Sequence, residues 1–144
     1  MTIALDVNPL VFGTQEDSPF RAIAEQVLKE LREGSETVYI FSPVAVGYVR
    51  VASSPRLHRV PLPIGNAIEN IRSWLSLPNV RTGMETPDFW TRFTEACAEV
   101  HATGNLVSDA YIVALMRQHG VRRILTHDRD FRKFDGIRVV DPFA

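Results

Sequence analysis

The sequence predicts one α/β domain over residues 1–144, a central, mainly parallel sheet flanked by helices on both faces. Three observations carry that expectation. Short apolar runs alternate with longer segments of helical periodicity, the order of β–α units. Several of those runs end at an acid, as buried strands do where they leave a sheet. At 144 residues the chain can bury a core without staples, and its one cysteine, Cys97, has no partner for an internal disulfide.

Thr2 to Leu5 reads as a short buried strand closing on Asp6. Ser18-Pro19 opens a helix, since proline is tolerated in the first turn, and Phe20, Ile23, Ala24, Val27, Leu28 and Leu31 follow helical spacing up to Gly34. Val38 to Phe41 reads as a strand or an extended lead-in. Ser42-Pro43 opens the next helix, which runs through Val44, Val46 and Val49 until Pro55 stops it. A loop from Ser53 to Pro63 precedes a helix over Ile64–Leu77, with Ile68, Ile71, Trp74 and Leu75 on one face. Val80 to Met84 is a candidate strand, and Thr86-Pro87 opens a helix reaching about His101. Gly104-Asn105 reads as a turn before a helix over Asp109–His119, with Gly120 suited to a left-handed end. Arg123–Thr126 and Ile137–Val140 complete the strands.

No apolar run approaches the roughly 20 residues of a membrane span. Met1-Thr2-Ile3 enters a strand with no basic leader, so no signal peptide is expected. With a single cysteine, a reducing cytoplasm fits best. A formal net charge of −1 argues against a tight non-specific nucleic-acid binder. The positive charge is nevertheless mostly arginine, 14 against 2 lysines, and guanidinium suits phosphate.

The chemistry concentrates in four aspartates. Asp6 follows the first strand, Asp128 and Asp130 follow Ile124-Leu125-Thr126, and Asp109 stands where a helix N-terminus would stabilise its charge. In open α/β sheets ligands gather beyond the carboxyl ends of the strands, so these acids can meet at one edge. Carboxylates brought together repel unless a cation lies among them. Oxygen-only ligation favours Mg²⁺ or Mn²⁺ over zinc, and such sites serve phosphoryl chemistry. Asn8 and Thr126 are placed to orient carboxylates or water. The histidines show no metal-ligand spacing, and His127 alone lies near the acids. Ser42, Ser53 and Ser108 read as caps, not nucleophiles, and Cys97 as core.

Ala4-Leu5-Asp6-Val7-Asn8-Pro9-Leu10-Val11 resembles the N-terminal signature of PIN domains. Gly104-Asn105-Leu106-Val107-Ser108-Asp109-Ala110-Tyr111-Ile112 looks like that family's central acid at the start of a helix. Leu125-Thr126-His127-Asp128-Arg129-Asp130-Phe131 is similar to its late Thr-x-Asp-x-Asp-Phe element. The stretch from Ser42-Pro43-Val44 through Gly47-Tyr48-Val49-Arg50 to Pro55-Arg56 resembles a helix of VapC toxins from bacterial toxin–antitoxin pairs. Together these motifs cover the chain from the first strand to Val140-Asp141-Pro142.

The resemblance implies a PIN-like fold and a Mg²⁺- or Mn²⁺-dependent endoribonuclease, usually dimeric and inhibited by a VapB-type antitoxin. On that reading Asp6 and Asp109 are the principal metal ligands, Asp128 ligates directly or through water, and Asp130 supports it. Arg50, Arg56, Arg59, Arg129 and Arg132 are candidates for RNA phosphates. The pattern departs at Gly47, where the family commonly carries a glutamate. Close packing between helices is the expected reason for glycine there, ahead of close approach by RNA or antitoxin. A catalytically weak module that binds antitoxin or RNA is the alternative. A phosphorylated receiver domain fits less well, because Asp6 has no adjacent second acid and no suitable lysine follows a late strand.

Overall fold

The computed structural model describes residues 1–144. Five strands, β1 (Thr2–Leu5), β2 (Thr37–Tyr39), β3 (Val80–Arg81), β4 (Arg123–Leu125) and β5 (Arg138–Val140), form one sheet in the order β3-β2-β1-β4-β5. Every pairing is parallel. Six helices accompany it: α1 (Val7–Thr14), α2 (Arg21–Glu33), α3 (Ser42–Ala52), α4 (Ile64–Leu75), α5 (Phe89–Val100) and α6 (Asn105–Gln118), with a 3₁₀ turn at Arg129–Lys133. Ile3, Ala4 and Leu5 of β1 are all buried. A strand apolar on both faces is one covered on both faces, as parallel sheets require.

The strand order determines where a site can form. From β1 the chain moves outward through β2 to β3, then returns to the other side of β1 for β4. The direction of winding therefore reverses between β1 and β4, which leaves a crevice at their carboxyl ends. Leu5 lies opposite Leu125, so Asp6 and Thr126 leave the sheet side by side.

The helix over residues 7–14 was not expected from the sequence. Its segment Val-Asn-Pro-Leu-Val-Phe-Gly-Thr has β-branched residues and a glycine, poor helix formers, and no amphipathic stripe. It forms because Asp6 caps it, its carboxylate accepting the Val7 N–H at 2.8 Å. Burial of Pro9, Leu10 and Val11 then anchors it.

Other boundaries moved. The helix expected from Ser18-Pro19 begins at Arg21, because the Ser18 hydroxyl accepts the Phe20 N–H at 3.1 Å and holds a turn instead. Likewise Thr86-Pro87 precedes α5 without joining it. The strand expected to reach Met84 stops at Arg81, and Gly83 turns away with φ +57°. Gly104-Asn105 is not a free turn: Gly104, at φ 55°, caps α6 and Asn105 is its first residue. Gly120 takes the left-handed conformation expected of it, φ 67°.

Gly47 has a packing role. A Cβ there would come within 2.9 Å of Val7 Cγ2, so glycine lets α3 lie close against the start of α1. The buried Tyr48 beside it ties three helices together, its hydroxyl 3.0 Å from Thr14 Oγ1 and accepting from Asn70 Nδ2 at 3.0 Å.

Candidate metal centre

The crevice between β1 and β4 is lined with oxygen. Asp109, Asp128 and Asp130 each present a carboxylate oxygen, and these lie within 4.8 Å of one another. Asp6 stands outside that trio yet close enough for its charge to act on Asp109. All four predicted acids thus share one neighbourhood, three of them in direct convergence.

Each side chain has a positional cause. Asp6 is the residue at which β1 becomes α1. It is 8 % exposed, and one carboxylate oxygen accepts the Val7 N–H while the other accepts the Thr126 hydroxyl at 2.7 Å. Thr126, wholly buried, is also an acceptor: its Oγ1 takes the Asp128 N–H at 2.9 Å. One hydroxyl therefore links the ends of both strands. The Asp128 carboxylate takes the Asp130 N–H at 2.9 Å and so caps the 3₁₀ turn. Asn8 accepts the His127 N–H through its side-chain oxygen at 3.1 Å, which fixes α1 to the β4 exit loop. Thr126 thus touches the Asp6 carboxylate directly, whereas Asn8 bonds the backbone of the loop that carries Asp128.

Asp109 differs from expectation. It sits one turn inside α6, four residues after Asn105, and not at the helix's opening. No helix-terminal N–H groups compensate its charge there. Only 8 % exposed, it has one oxygen, Oδ2, buried with no hydrogen-bond partner. Burial first, and then the charges of Asp128, Asp6 and Asp130, together push its carboxyl up to about 7, with Lys133 acting in the opposite direction. Burial also raises the Asp6 carboxyl, opposed by the Thr126 hydroxyl and the Val7 N–H and reinforced by Asp128. A buried carboxylate with an unpartnered oxygen, set among other carboxylates, is a group that a cation would satisfy. Oxygen donors of this kind suit a hard divalent ion, so the residues fit one.

The five candidate arginines, Arg50, Arg56, Arg59, Arg129 and Arg132, are all exposed and none is in an ion pair with an acid. Arg129 and Arg132 share the 3₁₀ turn with Asp130. Two neighbours escaped the reading of the sequence. Lys133 Nζ lies 3.1 Å from Asp130, a contact its i,i+3 spacing on a helical turn signals. Asp141 meets His127 at 3.0 Å. The rule that found Asp6, an acid following a strand, finds Asp141 after β5 as well.

Comparison with known proteins agrees with this architecture. The PIN domain family model matches residues 3–137. Ribonuclease VapC48 of Mycobacterium tuberculosis is 44% identical over 144 residues, spanning 100% of this chain and 99% of its own. Among solved structures, VapBC2 from Rickettsia felis, bound to a DNA fragment from its promoter, superposes with a TM-score of 0.68 at 16% identity, covering 98% of each chain. Mycobacterium tuberculosis VapC20, a toxin that cleaves the sarcin–ricin loop, gives 0.68 at 19% identity, covering 94% of this chain and 98% of its own. With motifs, strand order and acidic crevice in agreement, the chain belongs to the PIN-domain family, among its VapC ribonucleases.

Proposed function

We infer that this protein is the toxin of a type II toxin–antitoxin pair, an endoribonuclease that hydrolyses RNA phosphodiester bonds in the cytoplasm with Mg²⁺ or Mn²⁺. The observation that carries the metal reading is the unpartnered, buried Oδ2 of Asp109 among three other aspartates. Asp109, Asp128 and Asp6 are the proposed ligands, with Asp130 completing the acidic wall. The chemistry a divalent ion supplies when bound there is Lewis-acid polarisation of the phosphate and activation of the attacking water. The protein's own contribution is position. Thr126 fixes Asp6 and the Asp128 backbone at once, and Asn8 secures the intervening loop. Arg129 and Arg132 bind phosphates flanking the cut, and Arg50, Arg56 and Arg59 extend that track. Splayed single-stranded RNA is the substrate class, since its bases are the readable ones.

Inhibition belongs to a VapB-type antitoxin. A cavity of about 510 Å³ lies among α1, α2, α3 and α4, with Leu10, Leu28, Ile71 and Trp74 in its walls and Arg32 at 5.1 Å over the Trp74 ring. An amphipathic antitoxin segment seats its apolar side there and sends a basic side chain toward the acids. The active unit is a homodimer.

Growth of cells expressing the protein tests this reading. Wild type arrests growth, Asp6→Ala and Asp109→Ala do not, and co-expression of the cognate antitoxin restores growth. Full toxicity of both variants would transfer the function to binding without hydrolysis, the reading that the glycine at Gly47 in place of a glutamate keeps in play.

A further inference from the structure

The C-terminal strand ends in a clip that the mechanism above does not use. Asp141, just after β5, has a side chain only 3% exposed. Its two oxygens lie 3.1 and 3.0 Å from His127 Nδ1, and Oδ1 also accepts the Phe143 N–H at 2.9 Å. A carboxylate only accepts, so the ring proton of His127 sits on Nδ1. The imidazole is further confined by aromatic neighbours, with ring centroids 5.0 Å from Phe20, 5.8 Å from Phe143 and 6.3 Å from Phe12. His127 is therefore held on its main chain by Asn8 and on its side chain by Asp141. It is the residue between Thr126 and Asp128, whose oxygens face the acidic crevice.

We propose that Asp141 is a positioning residue for the metal centre. By fixing His127 it holds the β4 exit loop in the one conformation that aims Asp128 at Asp109. Without the clip, the loop between β4 and the 3₁₀ turn would keep its Thr126 and Asn8 hydrogen bonds but lose the one that fixes the His127 ring. The inference rests on the acidic crevice being the metal site.

The test compares Mn²⁺ binding by calorimetry with RNA cleavage for wild type, Asp141→Ala, Asp141→Asn and His127→Phe. Asp141→Ala should weaken Mn²⁺ binding about 10- to 100-fold, the usual loss for a partner that orients a ligand. It should lower kcat and leave KM for RNA within about twofold, because RNA contacts are untouched. Asp141→Asn retains an Oδ1 able to accept from both His127 and Phe143, and should recover most of the affinity. His127→Phe keeps the aromatic packing but loses Nδ1, and should repeat the alanine defect even if the alanine variant folds poorly. Wild-type Mn²⁺ affinity in both Asp141→Ala and His127→Phe, whatever their melting temperatures, overturns the positioning role alone. A wild-type protein that binds no Mn²⁺ overturns it together with the acidic-crevice reading.

Discussion

Asp109 is the residue on which most depends. Its carboxyl, pushed up to about 7 by burial and by its acidic neighbours, makes the metal-free protein sensitive to pH in a definite direction. The folded carboxyl holds its proton more tightly than the unfolded one, with its ordinary value of 3.8. The associated stability is fully present below about pH 4 and is lost as pH rises through about 7. In EDTA the melting temperature should therefore fall across that window, and Mn²⁺ should abolish the fall by supplying the missing charge. Asp109→Asn removes the titration. At pH 8 in EDTA it should melt above wild type, by roughly 2–4 °C for each kcal/mol of repulsion relieved, while losing cleavage. A melting profile in EDTA that is identical for wild type and Asp109→Asn from pH 4 to 8 would contradict the electrostatic account of the crevice. Thr126 acts through others: Thr126→Val removes a donor from Asp6 and an acceptor from the Asp128 N–H. A loss of about 10- to 100-fold in metal affinity is expected, measured by Mn²⁺ titration of cleavage.

At the scale of elements, the packing of α3 on α1 decides what Gly47 can become. Gly47→Glu, which supplies the glutamate that the resemblance leads one to expect, places a Cβ within 2.9 Å of Val7 Cγ2. Overpacking of this kind costs about 1–3 kcal/mol, more than the ~1 kcal/mol that replacing a helical glycine returns. The variant should be less stable in urea than wild type, and Val7→Ala should relieve it, which paired denaturation curves measure. The same contact shows why some elements were legible and others were not. Strands β1 and β4 were readable because their buried residues, Ile3-Ala4-Leu5 and Ile124-Leu125, form unbroken apolar runs, and α2 and α4 because their apolar positions recur at helical spacing. Helix α1 carries no such pattern. It is specified by Asp6 as its cap and by burial against α2, where a Cβ on Gly13 would meet Leu28 Cδ1 at 2.8 Å; a cap with no apolar stripe behind it does not announce a helix, and the packing is not local. The start of α6 was misjudged for the opposite reason: Asp109 looks like a helix-opening acid, whereas the opening is made by backbone geometry at Gly104.

For the whole molecule, the winding order is the property that makes a site. A sheet running β3-β2-β1-β4-β5 places Asp6 beside Thr126, although 120 residues separate them in sequence. Acids after strands pointed to one edge. The register that makes Asp6 and Thr126 partners, and the closure by Asp141, needed the folded chain, because hydrogen bonds between distant residues leave no periodic trace. The net charge of −1 with exposed arginines near an acidic crevice also sets the expected RNA affinity. Binding should be modest and salt-dependent. Arg129→Ala with Arg132→Ala should raise KM several-fold and flatten the salt dependence, read from cleavage rates at stepped ionic strength. None of the four aspartates, nor Arg129 or Arg132, lines the cavity among the first four helices, so Trp74→Ala should weaken antitoxin binding without changing kcat.

The central claim is that the crevice between β1 and β4 cuts RNA with a divalent metal. Incubating purified protein with total cellular RNA in Mg²⁺, Mn²⁺ or EDTA, beside Asp109→Asn, and mapping the new ends tests it directly. Discrete cuts with Mg²⁺ or Mn²⁺, absent in EDTA and absent in the variant, are the predicted result; cuts that persist in EDTA, or no cut with either metal, would contradict it.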